Sequence, residues 1–437
     1  MRIFVVADDL TGANDTAVHF AKVGLATATL LAAEDLGALG SFDVFARSTG
    51  SRGLPGREAY DLAQQVTLAL GADAGDLIYK KIDSALRGNL AAEIEGVLDA
   101  LPGAHAAVVA PAYPKNGRTT VAGCQLIGGV PVSETEMAND PVAPVREAHI
   151  PTLLRRLSQA RVAEIGLAEI EKGAAHVSGE LERLARAGCR FIVCDAISDR
   201  DLESVARAAL AVQGAVPCGS AGLAEALARV LAEGRPIGGE RPDDREPGRS
   251  RPYGPLFGVV GSKSRVAKAQ VERLRAETVR VACLELPPED LADATGEGDA
   301  FRRRVADRIA ASLRGGNHVV VYAGEGSSAV PGGVAPERIV ATLGALVRDV
   351  LASTRVGTIY LTGGDTAEAA LRALGTQALE LLGEVEPGIV LGRLLGGAGA
   401  GVFTVTKAGS FGDAGVLVRI AQRLRAVRRG GVPGTPP

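Results

Sequence analysis

The sequence predicts two α/β domains, each with a mostly parallel sheet flanked by helices, and three observations carry that prediction. Short apolar runs of strand length alternate with segments of helical periodicity. An aperiodic stretch rich in Pro, Gly and charge interrupts the alternation just past the middle of the chain. Polar clusters stand directly after the apolar runs, at the carboxyl ends of strands, where an open parallel sheet binds its ligands. With 437 residues, 46% of them apolar, the chain is long enough for two or three sizeable cores.

Taken in order, Ile3-Phe4-Val5-Val6-Ala7 reads as a buried strand that runs into Asp8-Asp9-Leu10-Thr11-Gly12-Ala13-Asn14-Asp15. Thr11-Gly12 supplies a turn signal, and a helix is expected over 14–22 with Ala17, Val18 and Ala21 on one face. Further strands are expected at 43–46, 77–79 and 106–110, with a helix over 89–101 between the last two. The first domain spans 1–235 and the Pro/Gly/charge-rich segment 236–255 is the linker. The pattern restarts at Leu256-Phe257-Gly258-Val259-Val260, and strands at 318–322, 358–362 and 401–406 give a second domain over 256–430. Residues 431–437, rich in Gly and Pro, bury little surface and read as a tail.

Composition excludes several function classes. A net charge of -3, no Trp and 3% aromatic residues give no polyanion-binding surface and few base-stacking platforms, so nucleic acid is not expected as a partner. No run stays apolar long enough to cross a membrane, and the N-terminal apolar run is broken by two Asp, so neither a membrane partner nor export is expected. Five cysteines, at 124, 189, 194, 218 and 283, lack C-x-x-C spacing and fit buried, inert thiols in the cytoplasm.

Four strand ends in the first domain carry charge. Asp8 and Asp9 follow the first strand; a capping role and a catalytic role are both open to them. Arg47-Ser48-Thr49-Gly50-Ser51-Arg52-Gly53 follows the second, and its two guanidinium groups suit a carboxylate or phosphate. Lys80-Lys81-Ile82-Asp83-Ser84-Ala85-Leu86-Arg87-Gly88-Asn89 follows the third; a lysine such as Lys80 is either part of this cluster or simply solvated. Residues 111–120 follow the fourth and add further cations. Cations beside Asp8, Asp9 and Asp83 match a small polyhydroxy acid, whose carboxylate meets the cations and whose hydroxyls donate to the carboxylates. His149, beside apolar residues, reads as structural.

Phosphate chemistry is concentrated in the second domain. Gly363-Gly364-Asp365-Thr366 follows one strand and opens a helix, an arrangement that presents backbone N–H groups and a helix dipole to a phosphate. Lys407-Ala408-Gly409-Ser410-Phe411-Gly412-Asp413 follows another, with Lys407 placed to meet a phosphate, and Gly261-Ser262-Lys263-Ser264 a third. The last loop lacks G-x-x-x-x-G-K-[ST] spacing, and Gly396-Gly397-Ala398-Gly399-Ala400-Gly401 precedes a strand, so neither a P-loop nor a dinucleotide fingerprint is present. A nucleotide site built from three loops is the reading.

Together, Ala7-Asp8-Asp9-Leu10-Thr11-Gly12-Ala13, Lys81-Ile82-Asp83-Ser84-Ala85-Leu86-Arg87-Gly88-Asn89, Gly117-Arg118-Thr119-Thr120, Gly363-Gly364-Asp365-Thr366 and Thr406-Lys407-Ala408-Gly409-Ser410-Phe411-Gly412-Asp413 resemble the four-carbon acid sugar kinase family, in the family's order and over nearly the whole chain. Residues 134–141 and 219–224 also look like family segments. Leu10 stands where many members have Phe and Ser410 where Gly is common; Asn14-Asp15-Thr16 looks more like the D-threonate branch than the 3-oxo-tetronate branch.

The resemblance implies ATP-dependent phosphorylation of the terminal hydroxyl of a tetronate, D-threonate or D-erythronate, with 3-oxo-tetronate as the alternative, in the cleft between the domains. It implies an acid-sugar site of Asp9, Arg52, Lys81, Ile82, Asp83 and Ser84, to which Arg87 is added, and an ATP site of Ser262, Gly363, Gly364, Asp365, Thr366 and Gly409, to which Lys407 is added. Asp8, Asp9 and Asp83 are the candidates for orienting or deprotonating the hydroxyl, and Mg²⁺ is expected with ATP through ligands left unassigned. Oligomeric state is left open, with a homodimer allowed. An NAD-linked sugar-acid dehydrogenase, disfavoured by the missing fingerprint, and a nucleotide-responsive binding protein are the rival readings.

Overall fold

The computed structural model describes residues 1–32, 39, 41–73, 75–140, 142–233, 254–262, 264–277, 280–293, 296–324 and 336–426. The expected linker, but for its last two residues, the expected tail, Lys263 and Pro141 lie outside the described residues. Contacts divide the chain into two compact units, Met1–Thr29 with Ser41–Gly239 and Leu30–Gly40 with Glu240–Pro437.

The first unit carries strands β1 (Ile3–Ala7), β2 (Thr27–Leu30), β3 (Val44–Ser48), β4 (Leu77–Lys81), β5 (Ala106–Ala110), β6 (Arg118–Val121), β7 (Cys124–Ile127), β8 (Val130–Pro131), β9 (Arg161–Ile165), β10 (Cys189–Cys194) and β11 (Ala215–Gly219). Its helices are α1 (Leu10–Lys22), α2 (Gly56–Ala69), α3 (Leu90–Ala100), α4 (Ile150–Leu157), α5 (Leu167–Ile170), α6 (Ala174–Arg186), α7 (Asp199–Ala211) and α8 (Ala221–Ala232). The sheet order is β2-β3-β1-β4-β11-β5-β10-β9, with parallel pairing from β3 through β9. β1 and β5 are buried at every residue, as strands covered by helices on both faces must be. β6, β7 and β8 form a small antiparallel sheet of their own.

The second unit contains β12 (Leu256–Val260), β13 (Val281–Leu286), β14 (His318–Ala323), β15 (Thr358–Thr362), β16 (Ala378–Glu386), β17 (Ile389–Leu395) and β18 (Phe403–Lys407). With them run α9 (Arg265–Glu277), α10 (Pro288–Ala292), α11 (Gly296–Arg314), α12 (Pro336–Ser353), α13 (Gly364–Ala373) and α14 (Val416–Ala426). The order β13-β14-β12-β15-β18 is parallel, and β17 and β16 extend it antiparallel. Val271 and Leu274 of α9 and Leu417 and Ile420 of α14 close one core against Leu256, Val320, Tyr360 and Val405.

Two expectations change at this level. α1 begins at Leu10, four residues before the expected start, because Asp9 caps it and takes Thr11 and Gly12 into the first turn. β18 begins at Phe403 rather than 401 and ends on Lys407 itself. All five cysteines are free, and burial pushes the Cys218 thiol up to about 12 and raises those of Cys124, Cys194 and Cys283, which suppresses their thiolates. No helix among the described residues is long and apolar enough to cross a membrane.

Candidate functional site

In the first unit, β3, β1 and β4 are neighbours, so the residues after them leave one edge of the sheet together. Asp9 adopts extended backbone (φ -144°, ψ 161°), accepts from the Gly12 N–H on Oδ1 at 2.9 Å and from Thr11 Oγ1 on Oδ2 at 2.7 Å. Arg52, from the loop after β3, donates through Nε to Asp8 Oδ2 (2.6 Å) and through Nη1 to Asp9 Oδ2 (2.9 Å), and its Nη2 lies 3.7 Å from Asp83 Oδ1. Arg87 grips Asp83 in a bidentate pair, Nε to Oδ2 and Nη2 to Oδ1, both 2.9 Å, and reaches Asp140 at 3.2 Å. Lys81 Nζ stands 4.0 Å from Asp8 Oδ1, a buried oxygen with no hydrogen-bond partner among the described residues. The loop that carries these groups holds Leu86 at φ 63°, an unfavourable backbone for a branched apolar residue.

The electrostatics follow from this packing. Burial pushes the Asp8 carboxyl up, but Arg52 and Lys81 outweigh it and hold the group below its ordinary value. Asp83 is likewise pushed up by burial, yet Arg87 and Arg52 hold it well below the usual range. Burial lowers Arg52, and Asp8, Asp9 and Asp83 more than reverse it, so its guanidinium stays charged. Ionised carboxylates fit acceptors for sugar hydroxyls. The Asp9 side chain is 16% exposed against 3% for Asp8 and 11% for Asp83, so Asp9 is the most open of the three.

Two expected residues of this cluster are engaged through their backbone. Ile82 is buried, and its N–H donates to the Gly219 carbonyl at 2.8 Å, so it contributes backbone position and packing rather than a side-chain contact. Ser84 lends its carbonyl to Gln125 Nε2 at 2.6 Å. Lys80 is not solvated: it is fully buried and pairs with Glu93 of α3 at 2.7 Å, while Ser51 Oγ donates to the other Glu93 oxygen at 2.9 Å. Glu93 thereby anchors the loop that carries Arg52. Sequence reading missed it, although a lone carboxylate within Leu90-Ala91-Ala92-Glu93-Ile94 was a usable signal. His149 sits at the N-terminus of α4 with Nδ1 2.7 Å from Thr152 Oγ1, a structural contact.

In the second unit β12, β15 and β18 are neighbours, and the three loops after them interlock. The Gly261 N–H donates to the Thr362 carbonyl (3.1 Å), the Gly363 N–H to the Lys407 carbonyl (3.2 Å), and Ser264 Oγ to the Gly409 carbonyl (2.7 Å). A methyl group on Gly261 would lie 1.8 Å from Thr366 Oγ1, and one on Gly409 would lie 2.0 Å from Ser262 Oγ. Ser262, Gly363, Gly364, Asp365, Thr366 and Gly409 are thus on loops that touch. α13 starts at Gly364 after an N-cap at Gly363, and the amides of its first turn have no intrahelical acceptor.

Lys407 departs from its expected role. It is 1% exposed, and its Nζ donates to the carbonyls of Ala408 (2.8 Å), Gly409 (3.1 Å) and Phe411 (3.0 Å), so it points into its own loop and not toward a phosphate at the strand end. Burial pushes this ammonium down to about 8.

These features define a two-part α/β protein, with a carboxylate and guanidinium edge in one unit and a loop-built, amide-rich edge in the other. Residues 3–227 match the family described as "Sugar-binding N-terminal domain" and residues 257–417 the one described as "Nucleotide-binding C-terminal domain". The chain is 36% identical over 431 residues to a D-threonate kinase of Bordetella bronchiseptica, covering 98% of both chains. It is 32% identical to a D-erythronate kinase of Heliobacterium modesticaldum, covering 94% of both, and 30% identical to a 3-oxo-tetronate kinase of Methylobacterium radiotolerans, covering 94% of this chain and 96% of that one. The crystal structure of Haemophilus influenzae protein HI1011 shares the fold, with a TM-score of 0.71 at 23% identity over 97% of this chain and 99% of that one. The chain belongs to the four-carbon acid sugar kinase family.

Proposed function

We propose that the protein transfers the γ-phosphoryl group of ATP to the 4-hydroxyl of D-threonate or D-erythronate, giving the 4-phosphotetronate and ADP. The observation that carries this reading is the cluster of Asp8, Asp9 and Asp83 with Arg52, Lys81 and Arg87 at one sheet edge. Arg52 and Lys81 meet the substrate carboxylate, and Asp9, the most open carboxylate, accepts from its hydroxyls and orients the attacking one. Asp8 serves chiefly to hold Arg52 in place, and Asp83 to hold Arg87.

In the second unit, the amides of Gly364, Asp365 and Thr366 and the loops of Ser262 and Gly409 receive the nucleotide phosphates. Mg²⁺ is usually held by one or two carboxylates and the substrate phosphates, and the exposed Asp365 carboxylate in the first turn of α13 fits that need. The ion would neutralise charge on the β- and γ-phosphates. Five free cysteines support a reducing compartment such as the cytoplasm.

A coupled ADP-release assay over D- and L-tetronates and 3-oxo-tetronate tests the assignment. Turnover is expected on D-threonate or D-erythronate; turnover on 3-oxo-tetronate alone would replace the substrate, and none on any of them would sink it. Asn also caps helices, so Asp9→Asn is expected to lower kcat/KM at least about 100-fold while costing under about 1 kcal/mol of stability.

A further inference from the structure

We propose that Lys407 and Gln270 are positioning residues that draw five carbonyls of loop 408–413 inward and so leave the amides of Gly409, Ser410 and Gly412 available as a receptor for the phosphates of the nucleotide. The inference rests on the nucleotide-binding reading of the second unit and adds two side chains that do not themselves touch the ligand.

The loop has an unusual distribution of hydrogen bonds. Lys407 Nζ binds the carbonyls of Ala408, Gly409 and Phe411, and Gln270 Nε2, from α9, donates to those of Phe411 (3.0 Å), Gly412 (3.3 Å) and Asp413 (2.9 Å). Five carbonyls in a six-residue stretch are therefore drawn to two interior donors. Both side chains are 1% exposed, so neither reaches solvent or a ligand at the surface. Phe411 N–H returns to the Ala408 carbonyl, but the amides of Gly409, Ser410 and Gly412 have no acceptor among the described residues.

A stretch whose carbonyls are drawn inward while several of its amides, here those of Gly409, Ser410 and Gly412, have no acceptor among the described residues forms a concavity suited to an anion. Lys407 adds to this. Among the described residues its ammonium is compensated by carbonyl dipoles and by no carboxylate, so a buried positive charge stands directly behind the amides. Position and field thus favour the same ligand group. Gly409, in contact with Ser262 and Ser264, joins this concavity to the loop after β12. Helix α9 is fixed in the unit's core by Val271 and Leu274, so Gln270 is presented from a rigid support.

The test is isothermal titration of the full-length protein with ATP, ADP and adenosine, comparing wild type with Lys407→Met, Gln270→Leu and Gln270→Glu. Ionised Glu keeps the length of Gln270 but lacks its N–H donors and adds a negative charge, whereas Leu removes the donors without adding charge, so a selective loss shared by both variants reports the hydrogen bonds. Each variant is expected to lose at least about tenfold in affinity for ATP and ADP, with adenosine unchanged, KM for ATP raised by a similar factor and KM for the tetronate unchanged. Equal loss for adenosine and ATP would assign the pair a purely structural role and overturn the proposal. Wild-type ATP affinity in Gln270→Glu would also overturn it. If Lys407→Met fails to fold, the two Gln270 variants carry the test. If wild-type protein turns over no tetronate, the substrate reading fails, while the ATP, ADP and adenosine isotherms still decide the loop.

Discussion

At Asp9 the helix cap and the carboxylate proposed to face the ligand are one group. Oδ1 satisfies the Gly12 amide, Oδ2 meets Arg52 and Thr11, and the side chain still retains more exposure than its two neighbours. Asp83 is built differently: Arg87 takes both of its oxygens, and the Ala85 and Arg87 amides also donate to it. Because its folded pKa is depressed below the unfolded value of about 3.9, the unfolded state binds more protons between the two, and stability rises with pH across that window. The stabilisation is fully present above about pH 4 and is lost as pH falls through the folded pKa. Urea unfolding of wild type and Asp83→Asn is therefore expected to differ most at pH 7 and to converge towards pH 2; a constant difference would rule out the ion-pair account. The charged members of this cluster were legible because charges directly following apolar runs mark strand ends. Gln270 was not, since it lies within an amphipathic helix pattern and its partners are set only by tertiary packing, and Glu93 signalled a buried carboxylate without revealing that Lys80 and Ser51 are its partners. Lys407 was misread because sequence places it at a strand end without revealing that the strand remains buried to its last residue.

At the scale of elements, α2 and α3 cross where Gly96 faces the carbonyl of Tyr60; a methyl group there would lie 2.4 Å from that oxygen and 3.2 Å from Ala63 Cβ. Backbone cannot give way as a side-chain tip does, so Gly96→Ala is expected to destabilise the first unit by about 1–3 kcal/mol through overpacking, without altering KM for ATP. Chemical denaturation reads the first quantity and initial rates the second; no loss of stability would mean that the helices separate freely. The interior strands β1, β5, β12 and β15 were legible as continuous apolar runs with both faces covered. The edge strand β9, Arg-Val-Ala-Glu-Ile, is exposed at both Arg161 and Glu164, and β6–β8 are short and mixed in composition; pairing rather than local composition creates them. α1 shows the same competition at a helix start, where Thr11-Gly12 signalled a turn locally and the Asp9 cap, with Arg52 fixed beside it, prevailed.

For the molecule as a whole, the proposed acid-sugar contacts all come from residues of the first unit and the proposed phosphate contacts from residues of the second, so each ligand should stabilise through its own set of side chains. A ligand that binds only the folded state adds RT ln(1 + [L]/Kd), about 2.7 kcal/mol at one hundred times its Kd. Asp9→Asn removes a charge at the first edge and leaves Ser262, Thr366 and Gly409 untouched. Gly409→Ala forces a methyl group onto Ser262 Oγ, 2.0 Å away, and leaves Arg52 and Asp9 untouched. Thermal unfolding followed with ATP or with D-threonate should therefore give crossed results. Asp9→Asn protein is expected to keep the ATP-induced rise in Tm and lose the tetronate-induced one, and Gly409→Ala protein the reverse, each retained shift being a few degrees. Loss of both shifts in Asp9→Asn would mean that the acid-sugar edge and the nucleotide edge are not independent binding surfaces, and the assignment of one ligand to each unit would have to be abandoned.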